Sequence, residues 1–196
     1  RNSGPYAANR VFALLHSLYN RAVEWQLLEK NPATGIKKFP ENPRKRFLDD
    51  TEMPAFLRAL NQETNQDLRD FVWLALFTGA REANILAMRW EELDLGNSLW
   101  IIPETKSGAS QAVPLLPKAV ALLKKRKNAS RSEFVFPGTG RYGHLIDPKR
   151  AFRSLLKRAG ITQRTTIHDL RRTVGSQLAQ TNANAFIIQR ALGHKS

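Results

Sequence analysis

The stretch that decides the fold and the type of site is His168-Asp169-Leu170-Arg171-Arg172-Thr173. Apolar spacing predicts a helix from residue 166 to about residue 180, so His168 and Arg171 lie one turn apart on a shared face. Both fall in the first turns, where free backbone amides and the helix dipole favour an anion. A guanidinium adds planar, paired donors that match phosphate oxygens. The stretch therefore predicts an anion site of the phosphate type, although a lone His-x-x-Arg pattern is more often structural.

Three more segments carry donors of related chemistry: residues 78–86, 104–115 and 192–194. Arg81 begins a short helix just after a buried helix that Gly79 ends, because glycine accepts the left-handed conformation of a helix terminator. Lys106 stands in a polar hairpin turn, from which it can bring a proton donor to a leaving oxygen. His194 ends a Leu-Gly-His stretch and offers one further donor. Each signal is weak alone, and only their combination and order indicate a site.

Charge is distributed unevenly along the 196 residues, whose net charge is +14. Residues 1–46 carry net +6 and residues 47–105 carry net −7, whereas residues 106–196 hold 18 basic and 3 acidic residues, net +15. A solvated surface mixes the two signs, so this concentration favours a polyanionic partner that lies against the C-terminal half.

The composition also excludes several classes of protein. Without cysteine there are no disulfides and no thiolate metal sites. No apolar stretch approaches the roughly 20 residues that span a bilayer, and the first residues are not a signal peptide. P-loop, His-Glu-x-x-His and nucleophile-elbow motifs are absent. We expect an intracellular protein.

Hydrophobic periodicity predicts a mainly α-helical fold with one small antiparallel β-hairpin, an α+β class. The expected strands are residues 99–103 and 112–115. The expected helices are residues 7–29, a helix capped by Thr51, 67–78, 82–89, 117–126, one opened by Asp147-Pro148 and ending near Gly160, 166–180, and 183–192.

In combination, these motifs resemble the tyrosine recombinases of the phage-integrase family. The resemblance rests on an arginine in a Thr-Gly-x-Arg context, a hairpin lysine before Val-Pro-Leu, a His-Asp-Leu-Arg-Arg-Thr box and a Leu-Gly-His box. It implies that residues 47–196 have the catalytic fold of these DNA breaking-rejoining enzymes and lack the tyrosine helix. Residues 1–38 resemble the last helix of a core-DNA-binding domain, and residues 39–46 are a basic, proline-containing linker.

The resemblance implies a role for each motif residue. Arg81 and Arg171 would clamp the scissile phosphate, Lys106 would protonate the leaving 5′-oxygen, and His168 would assist proton transfer at the nucleophile. His194 would donate a further hydrogen bond. No metal is needed, because the arginines carry the charge. No cofactor is needed either, because a phosphotyrosine linkage conserves the energy of the phosphodiester.

The sequence departs from the family pattern at two places. Asn84 stands where the family usually has an acidic residue three positions after the first arginine, so no charge holds Arg81 from there. The tyrosines are Tyr6, Tyr19 and Tyr142, and none follows the Leu-Gly-His box, where the nucleophile belongs. We therefore expect this chain to bind DNA without cleaving it.

The resemblance extends to partners and place of action. Double-stranded DNA at a recombination site would be the partner, with the full-length protein a tetramer on DNA and this chain a monomer in solution. The setting would be the bacterial cytoplasm, at the nucleoid, in the service of a mobile element. Two alternatives remain. A non-catalytic DNA-binding module would have a stop codon after Ser196, and a related topoisomerase would relax supercoils without recombining DNA.

Overall fold

The computed structural model describes residues 4–42, 46–103 and 110–180. Two compact units divide the chain, Arg1–Lys45 and Arg46–Ser196. The elements are α1 (Pro5–Glu24), α2 (Met53–Asn61), α3 (Gln66–Thr78), α4 (Glu82–Leu86), a 3-10 turn (Trp90–Glu92), β1 (Leu93–Asp94), β2 (Leu99–Ile102), β3 (Gln111–Pro114), α5 (Pro117–Ala129), α6 (Lys149–Arg158) and α7 (Ile167–Gln180).

The expected α+β class is confirmed, since helices dominate and the strands form one small antiparallel sheet in the order β1-β2-β3. The predicted hairpin is present as β2 and β3, with Trp100 opposite Val113 and both side chains buried. Strand β1 was not predicted, because two residues are too few to show alternation. The predicted helix over residues 183–192 lies outside the described residues.

The first unit consists of α1 and the segment that follows it. The prediction that this helix reaches residue 29 is wrong, because α1 ends at Glu24 and Gln26 takes a left-handed φ of 59°. Asn9 fixes the return of the chain, since its amide nitrogen donates to the Phe39 carbonyl at 2.9 Å and its amide oxygen accepts from the Phe39 amide at 2.9 Å. Large apolar side chains remain exposed along the helix: Val11, Leu14, Leu15 and Leu18.

The second unit is built around α3, whose apolar side chains are buried almost all round. Phe71, Val72 and Leu74 are fully buried. The ring of Phe71 meets Phe136 edge-on at 6.0 Å, an arrangement that suits aromatic quadrupoles. Helix α3 also packs against α4, α5 and α7. This central helix thereby sets the position of the two elements on either side of its C-terminal end, α4 and α7.

Two predicted N-caps are wrong, and at both places an aspartate before the helix accepts a backbone amide. Thr51 does not cap α2; its hydroxyl donates to Asp49 Oδ1 at 2.6 Å, and the same carboxylate accepts from the Glu52 amide. Pro148, predicted for the first turn of α6, is the N-cap instead, and Asp147 accepts from the Lys149 amide at 3.0 Å.

Helix lengths also differ from the sequence expectations. Helix α4 ends at Leu86 rather than residue 89, because the chain then pairs with the segment around Phe134. Helix α5 continues to Ala129, three residues beyond the expected end. The helix that carries the His-Asp-Leu-Arg-Arg-Thr box begins at Ile167, one residue after the predicted start, and is described as far as Gln180.

Candidate functional site

The C-terminal end of α3 builds one wall of the site. Gly79 ends the helix with a φ of 59°, the left-handed conformation that the sequence predicts. Thr78 closes the turn, because its hydroxyl donates to the Leu74 carbonyl at 2.6 Å and accepts from the Ala80 amide at 3.2 Å. The turn leaves the Gly79 carbonyl pointing toward α7.

Arg171 reaches that carbonyl from α7. Its Nη1 donates to the Gly79 oxygen at 2.6 Å, and the residue is only 7% exposed. Burial, and secondly the charge of Arg81, lower the pKa of Arg171 to about 10. The guanidinium is still protonated at neutral pH, but it is held in a place where its charge is poorly solvated. An anion beside it would relieve that cost.

Arg81 lies close enough for its charge to act on both Arg171 and His168. Its backbone carbonyl caps α4, accepting from the amides of Asn84 and Ile85 at 3.0 and 3.1 Å. Within residues 4–42, 46–103 and 110–180 no hydrogen bond or ion pair engages the Arg81 side chain. Two like charges are thus gathered in one place, a costly arrangement that an anion between them would stabilise.

His168 completes the described cluster on the first turn of α7. The residue remains accessible at the surface, yet partial burial of its ring lowers its pKa from 6.5. The charges of Arg172, Arg171 and Arg81 lower the pKa further, and Asp169 opposes them. The ring is therefore mostly neutral at neutral pH, ready to accept a proton or to donate one hydrogen bond.

Asp169 anchors the start of α7, a function that the sequence analysis did not assign. Its carboxylate accepts from the Thr166 amide at 2.7 Å and from the Thr166 hydroxyl at 2.8 Å, and it pairs with Arg172 at 3.1 Å. The side chain of Asp169 is only 1% exposed. This acid three residues after Thr166 matches half of a capping box, which is the signal that could have revealed it.

The structure thus brings Arg81, His168 and Arg171 close enough for their charges to act on one another. Lys106 and His194, the other two predicted site residues, lie outside the described residues. Asn84 is half-buried on α4, and its neighbour Glu82 has a raised pKa because burial disfavours its charge, with Lys149 opposing that effect and Asp147 adding to it.

Comparison with known proteins identifies the family. The phage integrase family matches residues 46–196 of the chain, the whole of the second unit. The chain belongs to the phage integrase family. Its relatives within this family include the integrase of Salmonella phage P22, 32% identical over 186 residues, which cover 88% of this chain and 46% of that protein.

A second relative of this phage integrase-family chain is the shufflon-specific DNA recombinase of Escherichia coli. It is 33% identical over 204 residues, covering all of this chain and 50% of that protein. The chain therefore spans about half the length of the curated relatives that it matches.

Solved structures confirm the expected catalytic fold. A lambda integrase dimer bound to a COC′ core site superimposes with a TM-score of 0.76 at 22% identity. The match covers 98% of this chain and 73% of that one. Of the described helices, none combines the length and apolar character that crossing a membrane requires.

The lowered pKa of His168 predicts how stability changes with pH. Above pH 6.5 the ring is neutral in the folded and unfolded states, so its titration does not change the free energy of unfolding there. As the pH falls through the lowered pKa, the unfolded chain binds the proton more tightly and the folded state loses stability. Urea unfolding at pH 7.5 and at pH 5 gives the free energy of unfolding at each pH. Between the two, this free energy should decrease less for His168→Asn than for the unsubstituted chain. Equal losses would show that His168 is not destabilised by its surroundings.

Proposed function

We propose that this chain is the phosphate-holding part of a site-specific DNA recombinase of the tyrosine class. The full-length protein would cleave and rejoin DNA strands through a 3′-phosphotyrosine intermediate. The observation that carries the proposal is the buried Arg171 beside Arg81 and His168, in a chain of the phage integrase family. A cluster of three cationic or potentially cationic groups is stabilised by an anion, and DNA supplies phosphate at every step of its backbone.

Arg81 and Arg171 would hold the two non-bridging oxygens of the scissile phosphate. Charge grows on those oxygens as the pentavalent transition state forms, so donors fixed in advance lower the barrier. The bond from Arg171 to the Gly79 carbonyl supports this role, because it orients the guanidinium before any ligand arrives. The neutral ring of His168 suits proton transfer at the attacking hydroxyl.

Lys106 and His194 enter the proposal through their motifs alone. Lys106 would give a proton to the departing 5′-oxygen, which leaves as a hydroxyl while the phosphate becomes joined to tyrosine. His194 would donate a hydrogen bond to the same phosphate. No metal and no cofactor takes part in this scheme, since the two arginines and the lysine neutralise the charge.

The domain assignment is likewise a proposal. Residues 1–38 would be the last helix of a core-DNA-binding domain, residues 39–46 the linker, and residues 47–196 the catalytic domain. The separation into two compact units at residues 45 and 46 supports it. The apolar side chains exposed along α1 support it as well, because a helix of that kind is usually covered by neighbouring helices.

Double-stranded DNA would be the partner, and the full-length protein would act as a tetramer on its recombination site. A solved lambda integrase structure, a tetramer bound to a Holliday junction, supports this assembly. The present chain would be a monomer in solution, which sedimentation can check. The place of action would be the bacterial cytoplasm, at the nucleoid, where such DNA lies.

We expect no covalent protein–DNA adduct from this chain. Tyr142 is 62% exposed at the tip of the loop after Phe136, while Tyr6 and Tyr19 belong to α1 in the other unit. No tyrosine hydroxyl is therefore supplied by α7 or by the end of α3. The test is incubation with nicked duplex carrying the recombination site, followed by denaturing electrophoresis. A shifted band that survives denaturation and disappears in Tyr142→Phe would contradict this expectation.

A further inference from the structure

Arg46 is buried in the second unit although it ends a basic run that reads as a solvated linker. The residue is 8% exposed. Its two Nη atoms donate to the carboxylate of Glu52 at 2.6 and 2.8 Å, and Nη1 also donates to the Phe47 carbonyl at 2.7 Å. Its Nε donates to the Thr165 hydroxyl oxygen at 2.9 Å. Four of its five N–H groups are therefore committed, and one of them reaches the residues just before α7.

A second contact ties the same segment to α7 further along the helix. The Leu48 amide donates to the Thr173 hydroxyl oxygen at 2.9 Å, and that hydroxyl donates to the Asp169 carbonyl at 2.9 Å. Thr173 is completely buried. Residues 46–52, which we call the anchor segment, thus hold α7 at two points, one before its first residue and one two turns in.

The cluster residues of α7 lie between these two points. Each residue turns the helix by about 100°, so Arg171 projects roughly 160° away from Thr173. The anchor segment therefore grips one side of α7 while Arg171 faces Gly79 from the other. Any displacement of the helix start shifts Arg171 and His168 together, relative to Arg81 on α4.

Stability alone does not explain a buried ion pair at this place. Desolvating Arg46 and Glu52 costs free energy that their attraction offsets only when the geometry is good, and apolar residues of similar size commonly stabilise a fold as well. The directed hydrogen bonds of the Arg46 guanidinium add a fixed position for the residues that they join. Reacting groups are sensitive to position, since a displacement of about 1 Å can lower a rate by roughly 100-fold.

We propose that Arg46, oriented by Glu52, is a positioning residue for the phosphate cluster: through Thr165 it fixes where α7 begins, and thereby where His168 and Arg171 stand relative to Arg81. The inference rests on the proposed function for its consequence, DNA binding. Its structural part concerns the cluster alone and can be measured without DNA.

Thr165 offers the test, because it can lose its hydroxyl without losing its shape. Thr165→Val removes the acceptor of the Arg46 bond, whereas Thr165→Ser keeps it. We expect Thr165→Val to weaken binding of a 30-base-pair duplex about 5-fold, or about 1 kcal/mol. The pKa of His168, followed by NMR of its ring protons, should rise toward its ordinary value as its ring becomes less buried and the cations of the cluster separate. Thr165→Ser should restore both quantities to within about twofold in affinity and to the unsubstituted pKa.

Asp70→Asn is the matched control. It weakens another buried ion pair, between Asp70 and Arg126 at 2.8 Å, that joins α3 to α5 at the far end of α3 from Gly79. It should lower the melting temperature and leave both the DNA affinity and the pKa of His168 unchanged. A Thr165→Val chain that behaves like Asp70→Asn, less stable but with the same affinity and pKa, would overturn the positioning role.

Two further measurements keep the inference decidable. If Thr165→Val does not fold, Glu52→Gln replaces it, because the amide has the shape of the carboxylate but binds Arg46 less strongly. The same rise in the pKa of His168 is expected. An unchanged pKa would refute the positioning role. If the unsubstituted chain does not bind duplex DNA, the proposed function fails. The response of His168 to Thr165→Val would then still decide the positioning role.

Discussion

Arg171→Ala should weaken binding of duplex DNA by about 2–3 kcal/mol, or roughly 30- to 150-fold. The side chain is buried beside Arg81 with its guanidinium already oriented by the Gly79 carbonyl, so a phosphate gains a strong, directed contact at little cost in ordering. Fluorescence anisotropy with a labelled 30-base-pair duplex at low salt measures the loss. Lys106→Ala should lose less affinity, because a lysine that acts on the leaving oxygen contributes mainly to the chemical step.

Stability must be followed in the same Arg171→Ala chain. Two opposing effects act on its stability: the Gly79 carbonyl loses its donor, while the repulsion between the buried Arg171 and the half-buried Arg81 disappears. We therefore expect a small change in melting temperature beside a large change in affinity. Lys124→Ala, which removes the same charge from an exposed position on α5, should lower affinity no more than about twofold. Equal losses of DNA affinity in Arg171→Ala and Lys124→Ala would mean that net charge alone accounts for the binding.

The affinity for DNA should also fall steeply with salt concentration, by a larger factor than in Arg171→Ala. Residues 106–196 carry net +15, and a protein that neutralises about six phosphates loses roughly 10³-fold in affinity between 50 and 200 mM salt. The logarithm of the binding constant should fall linearly with the logarithm of salt concentration. Removing one phosphate contact, as in Arg171→Ala, should reduce that slope by about one.

A shallow slope would contradict this picture in a specific way. If affinity changed less than about 10-fold over the same range, the positive charge of the C-terminal half would not be facing phosphate. Replacing chloride by glutamate at constant cation concentration controls for competition by the anion at the arginine cluster. The cation-dependent part of the slope should remain.

The residues that sequence could identify are those whose function fixes the residue type locally. Gly79 is one, because a helix that must turn back at once needs the left-handed conformation. His168 and Arg171 are others, since their spacing of three places them on one face of any helix. Only the structure shows that Arg81, ninety residues away in sequence from Arg171, comes close enough to lower its pKa.

Contacts that depend on the tertiary fold could not be predicted. Arg46 reads as one more cation in a basic linker, and only its distant partner Thr165 explains its burial. Thr51 has the residue type of a cap, yet Asp49 holds the position from which a carboxylate reaches the free amides. Strand β1 has just two residues, so it carries no periodic signal; it exists because β2 offers it an edge.

The charge arrangement of the free protein is what makes the cluster suited to an anion. Burial and the charge of Arg81 lower the pKa of Arg171 to about 10, and burial followed by the charges of the surrounding arginines lowers the pKa of His168. Both shifts reflect burial first and nearby positive charge second. A bound phosphate would reverse them, because an anion stabilises the protonated form of each group.

The most direct test is therefore the pKa of His168 with and without DNA, followed by NMR of the histidine ring protons. The account predicts that saturating duplex DNA raises the pKa of His168, and that this rise disappears when Arg81 and Arg171 are both replaced by alanine. His144, half-buried against Phe134 in the loop that follows it, is the internal control. A chain that binds DNA tightly while the pKa of His168 stays unchanged would contradict the claim that this cluster holds a phosphate.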